Sequence, residues 1–423
     1  MTIFPLSRQH LALRSCAATG LLLCLCATRV VAQEVKPPNF VMHTVDGEVG
    51  VGPIAGLTTT WDITLADGKR TKATGKDLMA LRRVKPGLPA FPEDERIWLT
   101  NGDVITCAVQ EFSGERLRFQ PRLLAAANPD ADISWQVPVS SVSMIWVRPP
   151  EGSGNIEDLR RRLLAERRRG DVLLLSNGDQ LEGTVSSLSA QNAVIDMKDK
   201  KGVSVKREKI AVLVFGSEFA RKPQTKGQFA RVVLVNGCRL SIAAASVEEK
   251  GLACKTVAGD PVFIPLDQLV ALDMHGGRSV YLSDLKPKQY EHTPYLGVSW
   301  PYRFDASVLG RDMYLNGGMF DKGIGMHSES RLIFELAGKY LWFESLVGLD
   351  SRSGREGSVQ IQVLVDGKKV NADSAKELSG SDAPRSVRVN LSGAKELTLV
   401  VLFGNRGDVQ DHVNWADARL LKR

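Results

Sequence analysis

Apolar and polar residues alternate in short runs along most of this chain, and one run-turn-run pattern keeps returning. RIWLTNGDVITCAV begins at Arg96, DVLLLSNGDQLEGTV at Asp171 and RVVLVNGCRLSIAAA at Arg231. Each holds an apolar strand, an Asn-Gly pair and a second strand. Asn-Gly between apolar runs predicts a tight hairpin, because both residues tolerate the positive φ of a type I′ turn. A fainter copy, FVMHTVDGEVGVGPIAG from Phe40, places Asp46-Gly47 at the turn. The copies also close alike. VPVSSVSMIWV from Val137, VKREKIAVLVF from Val205 and FIPLDQLVALDM from Phe263 each set a strand, a short polar link and another apolar strand, and KDLMALRRV from Lys76 is the first copy's counterpart. Four or five short strands per unit predict SH3-like or bent-sheet repeats over residues 39–85, 96–148, 170–216 and 230–275.

One interval departs from the period of two. In NIEDLRRRLLAERRR, residues 155–169, Asn155 can cap a helix, Glu157 and Asp158 suit its first turn, and Gly170 stops it. Ile156, Leu159, Leu163 and Leu164 fall on one face, so a linking helix is expected on the surface or between units. Beyond about Arg278 the texture changes again. Pro287, Pro294 and Pro301 break an extended entry segment, and strand-like runs follow from Arg331, Tyr340, Ser358, Ser386, Glu396 and Asn414. Many strands and no convincing helix over residues 285–423 predict a β-sandwich of the jelly-roll kind. The whole is therefore expected to be all-β.

Composition changes this picture at the ends. Arg8 and Arg14 precede the apolar stretch Gly20–Ala27, and Val30-Val31-Ala32 offers small residues, so residues 1–32 read as a cleaved signal peptide of a secreted, periplasmic or cell-surface protein. No later apolar run approaches the roughly 20 residues that span a bilayer. The net charge of +7 is partly carried by that leader, which leaves too mild a balance for nucleic-acid binding. Export permits a disulfide, and Cys238 with Cys254 could close a short loop; buried free thiols are the alternative. No two cysteines have metal-ligand spacing.

Three ordered segments, GGMFDKGIGMHSESRLIFEL, YLWFESLVGLDSRSGREGSVQIQVLVDG and GDVQDHVNWADARL, resemble the NPCBM family of carbohydrate-binding modules carried by secreted glycoside hydrolases such as family 98 enzymes. The resemblance runs from about Tyr290 to the C-terminus and leaves the repeats unassigned. It implies a galactose-binding-like jelly roll that recognises sugars, galactose-type glycans among them, in some members with a structural calcium ion.

Sugar sites set aromatic rings against apolar sugar faces and polar side chains against hydroxyls. Trp300, Tyr302 and Trp415 supply rings, and Arg303, Asp305, His327, Asp411 and His412 supply donors and acceptors. Trp342, beside Phe343 in a strand, reads as core. Alternation puts Val413, Trp415 and Asp417 on one face, so Asp417 would need a partner such as Arg303, Arg331 or His327. Acidic loops offer Asp350 and Asp408 to calcium, although solvated turns explain them as well. His327 follows Gly323 and Gly325, where it could be a structural peg, a ligand contact or, lacking a recognisable partner, least of all a catalytic base. Nothing chemical recurs in the repeats either: the Asp of NGD, Asp103 and Asp179, becomes Cys238. These readings favour a non-catalytic carbohydrate-binding protein with the repeats as spacer or protein contact. An assembly protein that has lost its sugar site, and a hydrolase or hydrolase accessory using the repeats, are the alternatives.

Overall fold

The computed structural model describes residues 37–84, 87–122, 134–221, 227–249, 251–295, 297–370 and 376–422, and the expected signal peptide lies outside them. Strands dominate. In the second repeat they run Arg96–Leu99, Val104–Ser113, Arg116–Pro121, Trp135–Pro138 and Val142–Trp146. The first four pair in order, and the fifth returns to the first with Ile145 opposite Ile97. The third and fourth repeats close identically, Leu213 opposite Leu173 and Leu272 opposite Val232.

The repeated turn differs from the expected type I′. Gly102, Gly178 and Gly237 have φ of 87°, 89° and 84°, while the preceding asparagines keep negative φ. Each asparagine side chain instead accepts from the backbone two residues on: Asp103 N to Asn101 Oδ1 at 3.0 Å, Asp179 N to Asn177 Oδ1 at 3.2 Å, Cys238 N to Asn236 Oδ1 at 3.1 Å. Asparagine is placed there for this local bond, and only the glycine visits the left-handed region.

The repeats are fused rather than beaded. Closing strands of the second and third pair through Met144 and Val214, and those of the fourth and first through Leu272 and Leu81. Apolar side chains from all four, Phe40, Phe119, Leu213 and Leu272 among them, share one core. That sharing overturns the Cys238–Cys254 disulfide, since both are buried free thiols. Cys238 Sγ lies 3.2 Å from Thr106 Oγ1 of the second repeat, whereas Cys254 sits opposite Ala245 within its own.

Asn155 caps the helix Ile156–Ala165 as expected, accepting from Glu157 N and Asp158 N. Leu159 and Leu163 bury against Trp98, Trp146 and Val172. The opposite side grips the C-terminal sandwich. Arg160 reaches both Asp312 oxygens at 2.7 and 2.8 Å, Arg161 joins it, and Arg352 pairs Glu157 at 2.8 Å. Near that junction Leu88 N donates to Met319 O at 2.8 Å. A Cβ on Gly87 would fall 2.1 Å from Gly318 Cα, so no larger residue fits this approach.

The sandwich stacks two sheets. One has the order Arg303–Phe304, Gly323–Met326, Val413–Lys422, Tyr340–Leu349, Arg385–Asn390; the other Gln289–His292, Ser330–Glu335, Glu396–Phe403, Ser358–Val365, Lys368–Lys369. Leu332, Phe334, Phe343, Ile361, Leu399 and Trp415 fill the space between them. Strand alternation holds on Val413–Lys422 until Asp417, where φ is +48° and two residues oppose one. The bulge turns Asp417 out of the core and restores Ala418 and Leu420 to it. Asp417 accordingly meets Arg82 and Arg419, both at 3.4 Å, rather than Arg303, Arg331 or His327. Trp342 likewise leaves the main core, half-buried beside Val45, Met79 and Leu421 under the Arg388 guanidinium.

Candidate functional site

Register builds a ring cluster at one end of the sandwich. Gly323–Met326 and Val413–Lys422 pair with Met326 opposite Val413, so the next residues outward, His327 and His412, face each other with ring centroids 5.5 Å apart. The proline-bounded loop lays Trp300 flat on His327, centroids 4.6 Å apart and planes within 6°, and tilts it against His412 at 5.7 Å. From the other sheet, His292 meets His327 edge-on at 6.4 Å and Tyr290 stacks on His292. Tyr290 Oη donates to Trp300 O at 2.5 Å, which pins the loop. Trp300 and His412 are half-buried, while His327 is 2% exposed beneath them.

Burial favours the neutral forms of His327 and His412. Desolvation lowers the His412 pKa to about 4, with His327 adding to the effect. Desolvation also lowers that of His327, against a Ser328 carbonyl 2.8 Å from its Nδ1. A neutral imidazole carries one donor and one acceptor nitrogen, a match for hydroxyls that both give and take hydrogen bonds. Nδ1 of His412 and Nε2 of His292 are buried with no partner among the described residues. Asp411 underpins the cluster. Its carboxylate takes the Ser328 hydroxyl at 2.5 Å and Ser358 N at 2.9 Å, and desolvation raises its pKa to about 6.

Of the residues nominated from sequence, the structure gathers Trp300, His327, His412 and Asp411 here. Tyr302 is one ring removed, edge-on to Tyr290 at 5.0 Å. Arg303 is exposed on its edge strand. Asp305 is committed elsewhere, accepting from Lys322 Nζ at 2.7 Å and Gly323 N at 3.1 Å. Trp415 is fully buried in the core and offers no ring to a ligand, because its face of the strand looks into the sandwich. Asp350 and Asp408, the residues offered to calcium, have different surroundings. Asp350 is buried and takes Arg352 N at 2.9 Å and Asn414 Nδ2 at 2.8 Å, while Asp408 lies toward His327, and no three metal-ligating side chains converge among the described residues. Tyr290 and His292 were missed. Their signal was two rings at alternate positions of one strand, Gln289–His292.

Comparison with known proteins bears on the same segment. Residues 278–421 match the family model described as NPCBM/NEW2 domain. A curated relative from Renibacterium salmoninarum, named "Putative endo-alpha-N-acetylgalactosaminidase", is 26% identical over 112 residues, 26% of this chain and 7% of that protein's length. Among solved structures, CBM51 from Clostridium perfringens GH95 in complex with methyl-galactose is 33% identical, covering 34% of this chain and 99% of that one, with a TM-score of 0.31. CBM51-2 with INT domains from Clostridium perfringens ZmpB, in complex with GlcNAc, is 22% identical, covering 45% and 43%, with the same TM-score of 0.31. The sandwich over residues 278–421, with its ring-lined end, is thus an NPCBM/NEW2 domain joined to a body of fused β-repeats.

Proposed function

We propose that the chain is a secreted, non-catalytic carbohydrate-binding protein whose C-terminal sandwich binds a galactose-type glycan at Trp300 and His412, with His327 as the buried support of the indole. One observation carries the reading: a half-buried indole is held flat by a histidine while neighbouring imidazole nitrogens have no partner among the described residues. That combination suits a saccharide, which presents one apolar face and a ring of hydroxyls. The repeat body grips the sandwich through Asp312, Glu157 and Asp417, none of which belongs to the ring cluster. Calorimetric titration of the full chain with methyl galactoside tests this. Binding is expected, and Trp300→Ala should weaken it at least about ten-fold through loss of the stacking ring while the melting temperature holds. No binding to any galactose-bearing glycan, or unchanged affinity in that variant, would sink the reading.

A further inference from the structure

A crevice of about 820 Å³ opens between the repeat body and the sandwich, apart from the Trp300 cluster. Ligand sites gather at domain junctions, and volumes of about 300–1,000 Å³ are typical of them. Its floor is ionic and balanced. Arg82 and Arg419 share Asp273 and Asp417 across 2.8 to 3.9 Å, and Arg388 pairs Glu344 at 2.8 Å. Two lining charges stand outside those pairs: Glu48, 3.6 Å from the His43 ring, and Arg83. No carboxylate of the described residues pairs with Arg83; Nη2 donates to Asp267 O at 2.5 Å, and Nε is buried without an acceptor. Arg419, with its side chain 7% exposed, also has an Nε without an acceptor. Buried N–H groups left this way are uncommon in general; Arg96, Arg231 and Arg278 show the same elsewhere, while Arg83 and Arg419 are the ones that line this crevice. Around them the wall is mixed: Val84, Phe320 and Leu346 are apolar, and Glu344, Ser345 and Ser386 are polar.

We propose that this crevice binds the carboxylate-bearing residue of an acidic glycan, with the carboxylate on Arg83, hydroxyls on Ser386 and Glu344, and the apolar ring face on Val84 and Leu346. A guanidinium matches a carboxylate with two parallel hydrogen bonds. A neutral sugar would leave Arg83 uncompensated, and a small anion would leave the apolar wall unfilled. The carboxylates of Asp417 and Glu344 already pair with arginines, and Glu48 lies two strands away from Arg83. The site is chemically unlike the Trp300 ring cluster and does not depend on it.

Titration of the full chain with glucuronate, N-acetylneuraminate, glucose and acetate tests the proposal. One of the two acidic sugars should bind, with glucose and acetate at least about ten-fold weaker. Arg83→Gln and Ser386→Trp, the second filling the crevice from an exposed strand position, should each remove that binding by a similar factor and leave methyl galactoside affinity unchanged. Glucose binding as tightly as glucuronate, acetate matching it, or no effect of either variant would overturn the proposal. If Arg83→Gln unfolds the protein, Ser386→Trp decides. Loss of galactoside binding alone would count against the Trp300 site and not against this one.

Discussion

Two clusters of rings in this molecule use tryptophan in opposite ways. In the repeat body Arg96, 3% exposed, lies between Trp98 and Trp146, its guanidinium 4.9 and 5.0 Å from the two ring centroids. The assembly is closed over by the helix Ile156–Ala165. In the sandwich Trp300 lies on a neutral histidine and stays half-buried. The first cluster carries a cation and is covered; the second leaves its indole partly open. Buried nitrogens without a partner among the described residues occur in both, Arg96 Nε and Trp146 Nε1 in the first, His412 Nδ1 and His292 Nε2 in the second. Aromatic residues beside polar ones therefore do not mark a binding site. What separates the two clusters is exposure: the Trp300 ring is left partly open, whereas Trp98 and Trp146 are closed over.

The contrast can be broken by mutation. Trp146→Ala should have the largest effect on stability, about 3–5 kcal/mol for a buried indole, read from urea denaturation, with galactoside affinity of the folded protein unchanged. A small loss would mean that the closed cluster is not structural. Asp312→Ala comes next. It strands Arg160 and Arg161 at the junction and should cost on the order of 3 kcal/mol, with faster proteolytic cleavage between body and sandwich. Trp300→Ala should reverse the pattern, moving stability by less than about 1 kcal/mol while abolishing sugar binding.

The smallest effects concern pH and sharpen the same contrast. The folded-state pKa of His412, about 4, lies below its ordinary 6.5. Its contribution to stability is therefore complete above 6.5 and is lost as pH falls toward 4. Asp411 has the reverse sign, raised from 3.8 to about 6, so its contribution is complete below 3.8 and lost as pH rises through 6. Melting curves across pH 4 to 7 should therefore show His412→Gln flattening the acid loss and Asp411→Asn gaining most above pH 6. Parallel curves for both variants and the parent would contradict these assignments.

Much of the architecture was legible from alternation. Leu332, Phe334 and Leu336 face inward with Arg331 and Glu335 outward, because a pleated strand has a period of two whatever surrounds it. Asn155 capped its helix because a cap is a local bond. The site was half legible. Trp300 and His327 could be nominated as residue types, but Tyr290 and His292 could not be tied to them across a sheet-to-sheet gap.

Sequence alone determined the strands, the glycine turns, the helix and the family resemblance of the last third, all properties of neighbouring residues. Tertiary structure decided the rest. It fused the repeats, separated Cys238 from Cys254, bulged Asp417 toward Arg82 and set His327 opposite His412. Each of those outcomes depends on strand register and on contacts between residues far apart in the chain, and a local pattern carries no information about which distant partner a strand will meet.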